Sequence, residues 1–207
     1  MPNTVMPRVP LAAMSRSIAA AFHRCVEKTG DGTIIEVMAH QPDIMRWYFE
    51  EFYGGIFYNR LPGMRVDVRS KELLRLKLSK QHGCQLCNRS NTLDALAAGI
   101  TQEMIDAIHT PDAPVWDDKD RAVIALADEM TLQHMDGHLS ADLYARLRTH
   151  YDDGQIVELG FVAAILTGIA KWIFTFDIVD REEVCPIGKP GGVRGLLLTA
   201  GDYSPES

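Results

Sequence analysis

Along the chain, apolar residues recur at steps of three and four and nowhere alternate with polar ones over a useful length, a pattern that predicts helices and no strands. Ile18, Ala21, Phe22 and Cys25 form one face of a helix over 15–28, which Gly30 closes. A short helix follows over 33–40. A longer one opens at Pro42, a residue suited to a first helical turn, with Ile44, Trp47, Tyr48, Phe52 and Phe57 as its stripe. That stripe reads first as core and second as a wall of a small-molecule pocket. Asp67 can cap the next helix, where Leu73, Leu74, Leu76 and Leu78 lie on both sides, so this element should be central. His82-Gly83 breaks it. The helix after that runs over 84–98 to a cap at Gly99, with Leu86, Leu93 and Ala97 as its buried face.

Thr101 then caps a short helix through Ile108, and Pro111 to Pro114 make a rigid turn. Helices start at Asp117 or Asp118 (Ala122, Val123, Leu126, Ala127, Met130), at Ser140 (Leu143, Leu147) and at Gln155. The last runs to about Phe176, is apolar almost all round and carries Gly160 and Gly168, which suits the core or a subunit interface. Pro2, Pro7 and Pro10 predict an extended arm over 1–14, able to lie over a neighbouring subunit. Residues 185–207 predict an irregular tail. The expectation is one all-α domain over 15–184.

Composition narrows the partners. With 207 residues, 46% apolar and 24% charged, the chain has the make-up of an ordinary globular protein. A net charge of −7 and a pI near 5.5 argue against a nucleic-acid surface, which needs clustered Lys and Arg. The N-terminus has no basic segment leading into an apolar run. The most apolar run, 159–170, stops at Lys171, short of the roughly 20 residues a bilayer span needs. A cytoplasmic location without a membrane partner follows as the expectation.

Cysteines stand at 25, 84, 87 and 185, too sparse for a disulfide scaffold. Cys25 reads as a core residue, and nothing in the sequence assigns Cys185 a role. Cys84-Gln85-Leu86-Cys87, just after Gly83, is different. The positive end of a helix favours thiolate, and three-residue spacing brings both sulfurs within disulfide reach. One thiolate can attack a peroxide or disulfide while the other resolves the product, without a bound cofactor. Asn91 shares their helical face, and Glu72, twelve residues before Cys84, can accept a thiol proton directly or through water. Arg69 and Arg75, each three residues from Glu72, offer a surface ion pair instead. His82 is the one nearby candidate for joining the cysteines in a zinc site, which would still lack a fourth ligand. His134 and His138 could ligate a metal only from a helix, and Gly137 predicts a loop, so no metal is expected.

Glu72 followed at twelve residues by Cys84-Gln85-Leu86-Cys87, then a Leu- and Ala-rich helix ending at Gly99-Ile100-Thr101, resembles the alkylhydroperoxidase AhpD and carboxymuconolactone decarboxylase superfamily. Trp116 to Ala122, Leu139-Ser140 and Asp153 to Leu159 extend the resemblance over roughly residues 36 to 180. It implies an AhpD-like helical bundle that assembles as a homo-oligomer (dimer, trimer or hexamer). The implied activity is a thiol-dependent hydroperoxide reductase in which Cys87 attacks, Cys84 resolves and Glu72 takes part in proton transfer. A thiol or disulfide electron donor of unknown identity completes the cycle. The decarboxylase branch implies the alternative, a lyase or isomerase acting on a small carboxylated ring or lactone. Two family histidines fall on Asn91 and Leu86. Asn91 cannot shuttle a proton at neutral pH, and His82 could substitute only from the other side of the dithiol, so weak, specialised or altered peroxidase activity is expected.

Overall fold

The computed structural model describes residues 2–182, and among them it is helical, with no strand beyond an isolated bridge between Cys84 and Arg181. Cys185 and the expected tail lie outside the described residues. The helices are α1 (Arg16–Thr29), α2 (Thr33–Met38), α3 (Pro42–Arg46), α4 (Val68–His82), α5 (Gln85–Ala97), α6 (Gln102–Asp106), α7 (Asp118–Glu129), α8 (Ala141–Arg148) and α9 (Asp153–Thr175). Side-chain caps start most of them. Ser15, Asp67, Thr101, Asp117, Ser140 and Asp152 each accept a backbone N–H of the first turn.

α4 is the axis of the bundle, packed between α5, α7 and α9. Its leucines at 73, 74, 76 and 78 are all buried, and so are Lys71, Glu72, Arg75, Lys77 and His82. Burying charge requires a partner for each. The Lys71 ammonium pairs with Glu158 of α9 and donates to Ile56 O and Asn59 Oδ1, each at 2.6 Å. Lys77 reaches Asp128 at 3.0 Å and Ile108 O at 3.2 Å.

Three expectations are corrected. The segment after α3 is a π-helix over Trp47–Phe57, whose wider turn brings side chains onto one face at steps of four and five rather than on a 3.6-residue stripe. Tyr48, Phe52 and Phe57 are buried accordingly, while Ile44 and Trp47 are 60% and 46% exposed. α5 turns Asn88, Asn91, Asp94 and Ala95 inward, half-buries Leu86 and Leu93 and leaves Ala97 exposed, so its buried face is more polar than its apolar pattern suggested. The N-terminal arm, not among these corrections, contains a short 3-10 turn, Leu11–Ala13, and touches its own chain through Val9 N–H to Glu36 O and the Arg8–Glu36 pair. Finally, α9 runs 23 residues, past Lys171, and is long and apolar enough to cross a membrane by length and composition alone. One face of it packs on α4, with Leu159, Val162 and Ala163 buried.

Candidate active site

Gly83 ends α4 in the left-handed region (φ 65°), and the chain turns directly into α5 with Cys84 as its N-cap. A side chain at 83 would be strained in that conformation. Cys84 and Cys87 are joined in a disulfide with a Cα–Cα distance of 5.2 Å. Cys84 Sγ also accepts the Cys87 N–H at 3.2 Å, the position a side-chain oxygen takes in an ordinary cap. The backbone dipoles of α5 therefore converge on this sulfur. The two cysteines are unequal in access: Cys84 is 0% exposed and Cys87 is partly exposed.

From the disulfide a polar face runs down α5 through Asn88, Asn91 and Asp94, all buried. Seven residues separate Cys87 from Asp94, about 10 Å of helix rise. At the lower end, Arg75 Nη2 donates to Asp94 Oδ2 at 2.9 Å and to Glu72 Oε2 at 2.5 Å, and Arg75 Nε adds a second bond to Glu72 at 3.0 Å. Tyr58 OH donates to Glu72 Oε1 at 3.2 Å. The pairing of Glu72 with Arg75 is thus real but buried, not a surface contact. Burial pushes the Glu72 carboxyl up to about 7, against the opposing pull of Arg75 and with a further push from Asp94. The Arg75 guanidinium carbon lies 5.0 Å from the Phe57 ring centre and 5.7 Å from that of Tyr53. Among the described residues, the buried side-chain atoms without a hydrogen-bond partner are Arg75 Nη1 and Asn88 Oδ1, both on this α4–α5 interface.

His82 stands apart from the polar face. Its Nε2 accepts the Leu132 N–H at 3.1 Å, and burial, helped by Arg181, holds the ring down at about 4, so it is neutral at physiological pH. Cys25 is buried in the core, donates to Asp31 O at 3.1 Å, and burial raises its thiol to about 12. His134 and His138 lie on the loop between α7 and α8. Among the described residues no cluster of three or more His, Cys, Asp or Glu side chains could hold a metal.

Sequence reasoning assigned no role to Tyr53, Tyr58 or Asp94. Tyr48, Tyr53 and Tyr58 recur at five-residue steps, the hydrogen-bond step of the π-helix, and Tyr48 OH donates to Tyr53 OH at 3.4 Å. That spacing was the available signal, though a 3.6-residue template does not register it.

The fold and site define a helical-bundle protein that presents a cysteine pair at a helix start above a buried carboxylate. Residues 42–129 match the model of the carboxymuconolactone decarboxylase family. The uncharacterized protein YdfG of Bacillus subtilis (strain 168) is 29% identical over 108 residues, 52% of this chain and 71% of YdfG. The uncharacterized protein Rv2313c of Mycobacterium tuberculosis is 30% identical over 122 residues, 59% of this chain but only 41% of that protein. Among solved structures, an alkylhydroperoxidase AhpD core, a peroxidase-related protein from Ralstonia eutropha JMP134, superimposes with a TM-score of 0.66 at 16% identity, covering 88% of this chain and 94% of its own. The debrominase Bmp8, solved with 2,3,4-tribromopyrrole, gives 0.67 at 16% identity, covering 87% and 93%. At such identities these likenesses concern the fold. Residues 42–129 thus carry the carboxymuconolactone decarboxylase family match, and the fold over most of the chain is AhpD-like.

Proposed function

We propose that the protein is a thiol-dependent reductase of small electrophiles, hydroperoxides first among them, working through Cys84 and Cys87. The observation that carries this reading is the pairing of a partly exposed cysteine, Cys87, with a buried one, Cys84, at the N-terminus of α5. In the reduced protein Cys87 thiolate attacks the peroxide oxygen, the O–O bond breaks, and the alcohol leaves with a proton. Cys84 thiolate then displaces water from the Cys87 sulfenic acid, and the disulfide forms. A small-molecule or protein thiol restores the dithiol. No cofactor enters this cycle.

Glu72 serves as the proton store. A carboxyl held near 7 exchanges protons at physiological pH, but its oxygens are bonded to Tyr58 and Arg75. Transfer from Cys87 therefore runs past Asn91 by way of water, for which Asn88 Oδ1 and Arg75 Nη1 offer an acceptor and a donor. Asn91 can hold such water in place but adds no titratable group.

The test is direct. Reduced protein titrated with cumene hydroperoxide should consume about one equivalent and re-form the Cys84–Cys87 disulfide, as mass spectrometry would read. Cys87→Ser should abolish consumption, and undiminished consumption by that variant would sink the proposal. Because of the fold likeness to Bmp8, a brominated pyrrole belongs in the substrate panel beside the hydroperoxides. The lyase reading, in which the cysteines are dispensable, predicts instead that Cys87→Ser still turns over a carboxylated lactone.

We also propose that copies of the chain associate through the outward face of α9. Val157 is 70% and Phe161 52% exposed there, in line with exposed Ala164 and Gly168.

A further inference from the structure

The disulfide turn does not stand alone, because residues 180–182 run beside it as a strap. Arg181 pairs with Cys84 in an antiparallel bridge. Gln85 N–H donates to Asp180 O at 3.3 Å, and Glu182 N–H donates to Gly83 O at 2.8 Å. Asn88 Nδ2 donates to Glu182 Oε2 at 2.7 Å, one residue past Cys87. The strap is anchored upstream by buried Ile178 and Val179 and by the Arg181 guanidinium, whose carbon lies 4.2 Å from the Phe174 ring centre. A Cβ at Gly83 would meet Glu182 O at 3.4 Å, so the two backbones are in close contact.

A Cys-x-x-Cys at a helix start does not by itself dictate which sulfur faces solvent. Here the fully buried cysteine is the one that the strap pairs with. We infer that the 180–182 strap sets the direction of thiol chemistry: it seals Cys84, so that external thiols and electrophiles reach Cys87 alone, and the Glu182–Asn88 hydrogen bond is its latch. This rests on the dithiol reading above and adds Glu182, Arg181 and Asn88 as positioning residues.

The consequence for recycling is specific. An external thiolate attacks Cys87 Sγ and forms a new S–S bond there, while the old bond breaks and its electron pair stays on Cys84 Sγ. That sulfur already accepts the Cys87 N–H at the end of α5, so it is the better-stabilised leaving group. A second external thiol then cleaves the mixed disulfide, which releases the oxidised donor and returns Cys87 to the thiol form. Attack at Cys84 would instead have to place the donor beneath the strap.

Alkylation selectivity tests this without any peroxide. The full-length protein is reduced and exposed briefly to iodoacetamide, and the label on Cys84 and Cys87 is read from fragment ions of the tryptic peptide spanning 81–89. Wild type should label Cys87 roughly tenfold over Cys84. Glu182→Ala should raise Cys84 labelling until the two are nearly equal, with the Cys87 rate within about twofold of wild type, and Asn88→Ala should raise Cys84 labelling likewise. Glu182→Gln keeps an acceptor for Asn88 Nδ2 and should restore the selectivity. Should Asn88→Ala lose its helical circular dichroism, partly exposed Glu182 decides alone. Equal labelling in wild type, or wild-type selectivity in a folded Glu182→Ala, overturns the inference. A protein inert to hydroperoxides yet showing strap-dependent labelling would cost the peroxidase reading and leave the strap intact.

Discussion

α4 and α9 pack against each other and are opposites in composition. α4 carries Lys71, Glu72, Arg75, Lys77 and His82, and every one of them is buried. α9 is apolar for most of its length, yet it turns Val157 and Phe161 outward, and its buried charge, Glu158, faces Lys71 of α4. Position in the bundle, not hydropathy, decides what is buried. The charges on α4 are tolerated because each has a partner from another element or from the next turn, and two of them, Glu72 and Arg75, meet Asp94 of α5 below the disulfide. The outward apolar face of α9 has no such account among the described residues, and this is why we propose a second copy as its cover.

Removing Arg75 should break the α4 side of this comparison most severely. Arg75→Ala leaves Glu72 and Asp94 facing each other, buried and without their shared cation. Truncating one member of a buried charge cluster typically costs about 3–5 kcal/mol. Urea unfolding should show a loss of that size, and neutralising both carboxyls in the same background (Glu72→Gln with Asp94→Asn) should recover part of it. A loss below about 1 kcal/mol would mean that water reaches the cluster and that α4 is not the closed axis described here.

The pH dependence of stability separates the two ends of α4. Glu72 keeps its proton in the folded protein up to about 7, whereas an unfolded glutamate releases it near 4.5. Between those values the folded state binds more protons, so stability falls as pH rises. His82 works the other way. Its folded value near 4 lies below the ordinary 6.5, so its contribution is complete above 6.5 and is lost as pH falls toward 4. Each slope is worth on the order of 2–3 kcal/mol at most. Glu72→Gln should therefore leave a protein whose stability only climbs from pH 4 to 6.5, and His82→Gln one whose stability only declines from 4.5 to 7. Urea midpoints at several pH values across this range check both, and an unchanged profile in either variant would reassign the titrating group.

What the sequence made legible follows from how local each feature is. Leucines on both sides of 73–78 announced a central helix, and the caps at Asp67, Asp117 and Ser140 announced where helices begin, because both signals are contained within a turn or two. Cys84, Cys87 and Glu72 stood out by spacing. The π-helix did not, since its mixed four- and five-residue spacing satisfies no standard period, and Tyr53 and Tyr58 went unassigned with it. The rest of the inward polar face of α5, beyond Asn91, was hidden because Asn88 and Asp94 are buried by long-range partners: Asp94 by Arg75, nineteen residues away, and Asn88 by Glu182, ninety-four away. Pattern reading places such residues on a solvent face by default.

The smallest energetic effect tests the α9 side. Val157 and Phe161 make their exposed surface available without supporting the core beneath, where Leu159, Val162 and Ala163 do the packing. Replacing either by Asp should change the stability of the isolated chain by no more than about 0.5 kcal/mol, as for other surface substitutions. The same change should disrupt assembly, because a carboxylate brought into an apolar interface is desolvated without a partner. Sedimentation equilibrium should then return a multiple of 23.1 kDa for wild type and 23.1 kDa for Phe161→Asp. A wild-type protein that sediments as a monomer would make the exposed face of α9 an unpaired surface after all, and the contrast with α4 would reduce to one between a site and a scaffold.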